Sequence, residues 1–402
     1  MKLTFQFLVA SFAFSGALFA APVLSDVTLL PHRGTRHVRV TYELSGDPAV
    51  ITVDFTTNGV SIGPEKIQSL SGDVCRKVEP GERTILWDIR ADWPEQRVSD
   101  GSFKAVVTAW ATNSPPDYMV VDLATKSNVL FYASAESVPG GMTNDIYKTS
   151  KLVMRRVHAA GERFRMGSPA GETGRTAANE GQHWVMLSED YYLGVFEATQ
   201  GQWHQFKSTK NFNRNGETNP AESFGVSELR GTRAAGYSWP VNGHDVLAGS
   251  LFGVMRAKTG VMFDLPTEAQ WEYACRAGAY DTPYGIDTNA MALAEFAWFM
   301  GNASGIIHPV GQLEANAWGF FDMHGNVAET CLDYFVEALT GPVEDPSGPD
   351  SGTEDNLNFT LRGGAGENAA NLCRSAYRRA YDNDKGFYRF WGFRLWAPAV
   401  AP

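Results

Sequence analysis

The sequence predicts two domains, a small all-β sandwich followed by a larger domain with two short helices and much irregular chain. Three observations lead to this prediction. Short runs that alternate apolar and polar residues fill 26–112, with turn residues between them. Two helix-start signals follow later in the chain, and glycine, asparagine and aromatic residues crowd around them with little periodicity. A chain of 402 residues is also long enough for two hydrophobic cores.

The first predicted domain, 26–112, is typical of an immunoglobulin- or fibronectin-like sandwich. Its run HVRVTYEL places four apolar residues on one face of a strand, namely Val38, Val40, Tyr42 and Leu44. The runs AVITVDFTT and FKAVVTAWA alternate in the same way, and several short strands at this spacing favour a sandwich. Nothing in this region indicates catalysis, and its lone Cys75 is interpreted as a small buried hydrophobe.

The adjacent prolines Pro115 and Pro116 mark the end of this domain. The segment 113–151 is predicted to be a connector that packs on both neighbours and contains one strand-like run, YMVVDL. The second domain is then predicted to cover 152–398.

Two capping boxes predict the helices of the second domain. In EATQGQWHQF, Thr199 and Gln202 stand three residues apart, and in LPTEAQWEYACRAG, Thr267 and Gln270 repeat that spacing. In each box the threonine oxygen accepts from the third helical amide and the glutamine returns to the cap amide. Gly278 is expected to end the second helix.

Residues 1–21 are typical of a secretory signal peptide. Lys2 supplies a positive charge, an apolar run continues to Phe19, and two alanines follow. The run is short for a membrane anchor, so no integral membrane segment is expected in the mature chain. We therefore expect an exported protein, periplasmic or secreted, in a compartment where disulfides persist. The net charge of −11 argues against nucleic acid as a partner.

Eight segments carry a resemblance to a known family, and they occur in this order: FRMGSP, VFEATQGQW, LPTEAQWEYACRAG, HPVG, NAWGFFDMHGNVAE, LRGG, CRSAYR and WGFRL. Together they resemble the formylglycine-generating enzyme, or sulfatase-modifying factor, domain family. The resemblance implies an α+β fold like that of C-type lectins, with little regular structure, and exported bacterial members with an N-terminal β-sandwich. Some members oxidise a sulfatase cysteine to formylglycine with copper held by two cysteines, whereas others are iron-dependent oxidative enzymes or binding modules. The family alone therefore does not fix the reaction.

The resemblance bears on the cysteines in two ways. In the copper enzymes the metal cysteines lie between RGG and a later cysteine, which Cys373 matches here. The segment 365–372 reads AGENAANL and contains no cysteine, so soft ligands for copper are missing and copper is not expected. The resemblance instead implies a structural disulfide between Cys275 and Cys373, and two buried free thiols are the alternative.

The run DMHGNVAE matches a calcium loop of the family. By position, the carboxylates of Asp322 and Glu329 and the backbone carbonyls of Gly325 and Val327 would bind the ion. Calcium prefers several hard oxygens of this kind. An ordinary turn with solvated acids is the alternative.

A basic and aromatic rim around a pocket is the last candidate site, since such groups suit hydrogen bonding and stacking on a peptide or a sugar. It comprises His324, Arg378, Arg379, Tyr381 and Trp391. Two further arginines, Arg374 and Arg394, are interpreted as buried partners of acids, including those of TEAQWEYA.

These features favour a calcium-stabilised binding module for a protein, peptide or glycan. Two alternatives stay open. One is a formylglycine-generating oxidase that acts on a sulfatase cysteine. The other is an oxidative enzyme of the wider family that uses another cofactor, although the eight histidines form no metal-binding signature.

Overall fold

The structure is a computed structural model that describes residues 20–31, 37–94, 103–208, 210–231, 245–285, 292–337, 341–348, 358–382 and 388–402. The predicted signal peptide, 1–21, lies almost wholly outside the described residues. Within them the chain is mostly β, with few and short helices. None of those helices is long and apolar enough to cross a membrane.

The N-terminal region consists of two antiparallel sheets, with strand orders β1-β2-β7-β5 and β4-β3-β6, and β8 pairs with β3. Its strands are β1 (Val23–Pro31), β2 (His37–Ser45), β3 (Ala49–Thr57), β4 (Val60–Ser61), β5 (Leu70–Gly72), β6 (Lys77–Val78), β7 (Gly81–Asp88) and β8 (Phe103–Ala111). A single helical turn, α1 (Ile89–Asp92), follows β7. The four apolar residues predicted to share one face of β2 are all buried. The described part of this region is therefore β, apart from this turn and the 3-10 turn Pro64–Lys66. Its assignment to the immunoglobulin or fibronectin class stays a prediction.

Stacked aromatic rings form the centre of the core between these two sheets. Trp87 is fully buried, and its ring lies 4.4 Å from that of Phe55 and 6.3 Å from that of Phe103. The Trp87 indole also donates to Asp92 Oδ2 at 2.8 Å, so burial leaves no unpaired N–H. Burial of large aromatic side chains supplies much of the hydrophobic stabilisation in a domain of this size.

The predicted connector contributes strands to the second region. It forms β9 (Tyr118–Asp122) and β10 (Val129–Tyr132), which belong to an antiparallel sheet of order β10-β9-β11-β14-β22. This sheet also contacts the N-terminal sheets, because the Phe131 amide donates to the Cys75 carbonyl at 2.7 Å. The strand-like run was thus recognised in the sequence, but the sheet that receives it was not.

Three further sheets complete the second region, with orders β12-β13-β18, β20-β19-β17-β21 and β15-β16. Its remaining strands are β11 (Lys151–Val157), β12 (Glu162–Met166), β13 (His183–Leu187), β14 (Tyr191–Gly194), β15 (Ala297–Trp298), β16 (His324–Gly325), β17 (Ala328–Tyr334), β18 (Val343–Glu344), β19 (Asn358–Arg362), β20 (Arg378–Asp382), β21 (Trp391–Gly392) and β22 (Trp396–Pro398). Most are short, and irregular segments connect them.

Both predicted capping boxes are present. The helices of this region are α2 (Gln200–His204), α3 (Val226–Arg230), α4 (Leu251–Thr259) and α5 (Glu268–Arg276). The Thr199 and Thr267 hydroxyl oxygens each accept from the third helical amide, and the backbone amides of the two threonines donate to the side-chain oxygens of Gln202 and Gln270. The second predicted helix ends at Arg276, where Ala277 and then Gly278 adopt left-handed backbone angles. The described 3-10 turns are Pro64–Lys66, Ala135–Ser137, Asp145–Lys148, Ala292–Glu295 and Ala370–Leu372.

Candidate functional site

The predicted calcium loop, 322–329, starts just before β16, contains that strand and ends in the first residues of β17. Asp322, Gly325 and Asn326 have left-handed φ angles of 56°, 85° and 54°. A Cβ at Gly325 would collide with the Trp298 carbonyl oxygen, so only glycine fits there. The Asn326 side chain accepts from the His308 amide and donates to Glu197 Oε2 at 2.7 Å, which holds the turn from inside the protein.

Three buried carboxylates lie in or beside this loop. Asp322 and Glu329 belong to it, and Glu197 contacts it from another part of the chain. Glu329 pairs with Arg394 Nη2 at 2.7 Å and accepts from the Trp271 indole at 2.7 Å. Arg394 is the fully buried cation of the group, while Lys148 acts more weakly on Asp322 and also bonds to Asp145. Negative charge therefore exceeds positive charge in a region that excludes water.

Asp322 carries the clearest sign of a missing partner. Its Oδ2 accepts from the Gly311 amide at 2.6 Å, but its buried Oδ1 has no hydrogen-bond partner. Burial raises the pKa of Asp322 to about 6, and the charge of Glu329 adds to the rise. Burial, together with Asp322 and Glu329, also raises the pKa of Glu197 well above its usual value. Ionisation of both acids is therefore less favourable here than in water, and a nearby cation would offset this cost.

The ligand chemistry of these residues fits a calcium ion. A buried, unpartnered carboxylate oxygen and an excess of negative charge are what a hard divalent cation would neutralise. Among the described residues no group of three or more His, Cys, Asp or Glu side chains is placed to hold a metal. An ion here would therefore need main-chain oxygens, such as those predicted at Gly325 and Val327, besides Asp322. The oxygens of Glu329 already accept hydrogen bonds from Arg394 and Trp271. A calcium ion would therefore have to share the lone pairs of this carboxylate with those two side chains.

The structure differs from the predicted Cys275–Cys373 disulfide, because all four cysteines are buried free thiols. The sulfur of Cys275 lies 3.7 Å from His324 Nε2 and 3.9 Å from the Met323 carbonyl oxygen. The sulfur of Cys373 instead lies 3.8 Å from the Ala369 carbonyl oxygen. Each thiol therefore has its own neighbours, and burial raises the pKa of both to about 12.

His324 is buried and lines a small hollow of about 10 Å³ together with Asp322 and Tyr284. Its Nδ1 lies 2.7 Å from the Cys373 carbonyl oxygen, and its ring meets Tyr284 edge-on at 5.8 Å. Burial lowers the pKa of His324 to about 4, so the ring is neutral at physiological pH. A hollow of this size has room for no more than about one water molecule, and the role of His324 in a ligand pocket stays a prediction.

Arg378 also differs from its predicted place in the pocket rim. It is buried, and it binds both oxygens of Glu268 with its Nε and Nη2 at 2.5 and 2.7 Å. The interpretation of Arg374 and Arg394 as buried partners of acids is confirmed, but their acids lie outside TEAQWEYA. Arg374 binds Glu172 and Glu180, whereas Arg362 and Arg378 bind the two glutamates of α5.

The rest of the predicted rim forms an aromatic cluster at the surface. Trp391 packs 4.0 Å from Tyr381 and 3.8 Å from Tyr388, measured between ring centroids. Tyr388 is 40% exposed, Arg379 is exposed, and Tyr381 is buried beneath them. Arg379 and Trp391 also line a hollow of only about 10 Å³ beside Ala365. The surface thus offers ring faces and a guanidinium group, whereas the hollow has room for no more than about one water molecule.

The fold and these ion pairs can now be set beside known proteins. Residues 145–398 match the family described as "Sulfatase-modifying factor enzyme 1-like domain", which is more than half of the chain. The chain belongs to this family. The sulfatase-modifying factor domain therefore includes the calcium-loop residues, the buried arginines and the aromatic cluster.

Individual relatives are more distant. The formylglycine-generating enzyme of Streptomyces coelicolor is 32% identical over 130 residues, which cover 29% of this chain and 38% of that enzyme. A serine/threonine-protein kinase, pkn1 of Chlamydia caviae, is 25% identical over 61% of this chain and 38% of its own length. Among solved structures, PvdO from Pseudomonas aeruginosa matches 61% of this chain and 94% of its own, at 21% identity and a TM-score of 0.49. The chain spans less than two thirds of the length of these curated relatives.

Copper, which the copper-dependent members of the sulfatase-modifying factor family require, does not fit the residues of this chain. The segment 365–372 supplies no cysteine, so the pair of soft sulfur ligands that cuprous ion needs is missing from it. Cys373 is a buried thiol. A Cβ at Gly364 would also come within 2.7 Å of the Cys373 sulfur, so little space surrounds it.

Sequence reasoning missed Glu197, the third acid beside the loop. It accepts from the Val327 amide at 3.1 Å and from the Asn326 side chain. The signal was present, because Glu197 is the one charged residue of the otherwise apolar run LGVFEA before the cap of α2. A buried strand end does not tolerate an acid without partners.

The Arg394–Glu329 pair yields a direct prediction. Replacing Arg394→Gln leaves Glu329 buried without its cation, so we expect unfolding free energy to fall by about 3–5 kcal/mol. Urea unfolding followed by tryptophan fluorescence measures the change. The matched control is Arg379→Gln, because this arginine is exposed, and it should lie within about 0.5 kcal/mol of the parent. Equal stability of the two variants would contradict the central role given to this pair.

Proposed function

We propose that this chain is an exported, calcium-stabilised binding module of the sulfatase-modifying factor family that does not generate formylglycine. One observation carries the proposal. Where the copper enzymes of the family have two metal-binding cysteines, between RGG and the cysteine matched by Cys373, the segment 365–372 of this chain has none. Oxidation of a substrate cysteine by oxygen needs a redox centre, and the donors for copper are absent from this segment of the sequence.

The aromatic cluster supplies the binding surface in this proposal. Tyr388 and Trp391 expose ring faces, and Arg379 adds a guanidinium group beside them. Such a surface binds a sugar ring or a planar side chain by stacking and by hydrogen bonds from arginine. The ligand class is accordingly a protein, a peptide or a glycan that docks on the surface, because the hollow of about 10 Å³ accepts no side chain.

Calcium acts as a structural element in the proposal. The ion would neutralise Asp322 and Glu197 and join the loop to the sheets that flank it. Its contribution is therefore to stability and to the shape of the surface, and no chemical step passes through it.

A formylglycine-generating oxidase is the alternative function. The observation in its favour is the 32% identity to the Streptomyces coelicolor formylglycine-generating enzyme. That identity covers 29% of the chain and does not restore a second cysteine in 365–372.

Turnover of a sulfatase peptide separates the two functions. The purified chain, supplied with cuprous ion, oxygen and a dithiol, is incubated with a peptide that contains a Cys-x-Pro-x-Arg core. We expect mass spectrometry to find the peptide thiol unchanged, while a copper-binding member of the family converts it to the aldehyde under the same conditions. Conversion by this chain that disappears in Cys373→Ser would overturn the proposal in favour of the oxidase.

Removal of calcium tests the structural ion. A chelator should lower the melting temperature at pH 7 by roughly 5–10 °C, since saturating ligand contributes about 2.7 kcal/mol and each kcal/mol shifts a domain of this size by about 2–4 °C. Asp322→Asn should reduce this effect, and Glu344→Gln, which changes an exposed acid, should not. Identical chelator effects in the parent and in Asp322→Asn would exclude Asp322 as a ligand.

The calcium effect should also depend on pH in a definite direction. Because the pKa of Asp322 is raised to about 6 in the folded protein, its contribution to the stability of the calcium-free protein is lost as pH rises from about 4 to about 6. Added calcium should therefore stabilise most above pH 6 and little at pH 4, where it competes with protons.

Binding by the aromatic cluster is tested on glycan and peptide arrays. We expect retained ligands to bind Tyr388→Ala and Arg379→Gln at least about ten-fold more weakly, because each change removes a stacking face or a charge. The matched control is Trp184→Ala, which removes another exposed aromatic residue, on β13. Equal loss in Trp184→Ala, or no loss in the two cluster variants, would assign binding to another surface.

A further inference from the structure

A second hollow, of about 310 Å³, lies in the N-terminal half and shares no lining residue with the loop 322–329. Its walls come from four pieces of chain: strand β3, the segment 61–76, strand β8, and β10 with the residues that follow it. Its volume is at the lower end of the range for small-molecule sites. No sequence pattern indicates this cavity, because its walls are far apart along the chain.

The inner surface of this sandwich cavity is mainly apolar. Leu70, Trp110, Leu130 and Phe131 line it. The Trp110 indole N–H already donates to Thr52 Oγ1 at 2.9 Å, so this ring contributes apolar surface to the cavity and no open donor. Such a surface suits an apolar or aromatic body of a ligand.

The charged groups of the lining are one cation and one acid. Arg76 is exposed, and it forms no ion pair within the part of the chain that the structure describes. Asp54 is partly engaged, because its Oδ1 accepts from the Phe55 amide at 2.8 Å and from the Ser61 hydroxyl at 2.9 Å. The guanidinium group is therefore the charged group that is open to a ligand.

The wall between Arg76 and β10 is fixed by the backbone. The Cys75 amide donates to the Ile51 carbonyl at 2.6 Å, and the Cys75 carbonyl accepts from the Phe131 amide at 2.7 Å. Cys75 holds a left-handed φ of 57°, which is uncommon for a residue with a side chain. Strained residues of this kind persist where their surroundings hold them, and they are frequent beside ligand sites. The cavity is thus preformed between the two halves of the protein.

We propose that the sandwich cavity binds a small amphipathic acid. Its apolar or aromatic body lies against Trp110, Leu130 and Leu70, and its single carboxylate pairs with Arg76. One available cation beside one acid does not suit a polyanion such as a nucleotide. The site is separate from the aromatic cluster, so this inference does not depend on the proposed function.

The matched probes are naphthoate and naphthamide, which share one aromatic body and differ in charge. Each is titrated into the purified full chain by calorimetry. Arg76→Gln removes the cation, and Lys104→Gln changes an exposed cation of β8 that does not line the cavity. Leu130→Trp fills the cavity, and if that variant does not fold, as judged by circular dichroism, Thr108→Trp at an exposed lining position replaces it.

We expect saturable naphthoate binding that is about ten-fold tighter than naphthamide binding. Arg76→Gln should abolish the difference between the probes, the tryptophan variant should weaken both, and Lys104→Gln should change neither. No saturable binding of either probe would overturn the proposal. Equal affinity for both probes in the parent, or naphthoate binding that survives the tryptophan variant, would also overturn it.

Discussion

The buried pair of Arg394 and Glu329 is the constraint on which the second region depends. Arg394 also donates to the carbonyl oxygens of Gly194 and Val195, both at 3.0 Å, and to that of Phe321 at 2.8 Å. These partners lie from 65 to 200 residues away in sequence. A guanidinium group without water needs all of these acceptors, so the strand end at β14, the loop 322–329 and the segment before β22 must meet at one point. A region with few helices is held together in this way.

Beside this pair lie two more buried acids, Glu197 and Asp322, which Arg394 does not bind directly. Arg394 binds Glu329 directly. Glu197 and Asp322 are also buried, but their hydrogen bonds come from amides, and Arg394 acts on both only through its charge, with a weaker effect of Lys148 on Asp322. Two solutions exist in physical terms: the acids take up protons, as their raised pKa values indicate, or a cation joins them. The proposed calcium ion rests on Asp322 Oδ1, which has no hydrogen-bond partner among the described residues: a proton there would add a donor without an acceptor, whereas a cation would use the oxygen directly.

Local signals were read correctly from the sequence, and long-range partners were not. The capping boxes at Thr199 and Thr267 need only four consecutive residues, and the alternation in β2 needs eight. In contrast, the adjacent Arg378 and Arg379 look alike in the sequence. Their positions on β20 bury one against Glu268, 110 residues away, and expose the other. The cysteine pairing failed for the same reason, since the neighbours of a sulfur are set by segments that no local pattern identifies.

The buried ion pairs of the second region do not use a cysteine. Arg374 binds Glu172 and Glu180, and Arg394 binds Glu329. Arg374 also donates from Nε to the Asn371 carbonyl oxygen at 2.8 Å, so this framework reaches the segment 365–372 through its backbone. A different set of side chains in that segment would leave these bonds in place. Membership of the family therefore does not fix the reaction, which has to be inferred from the donors of this chain.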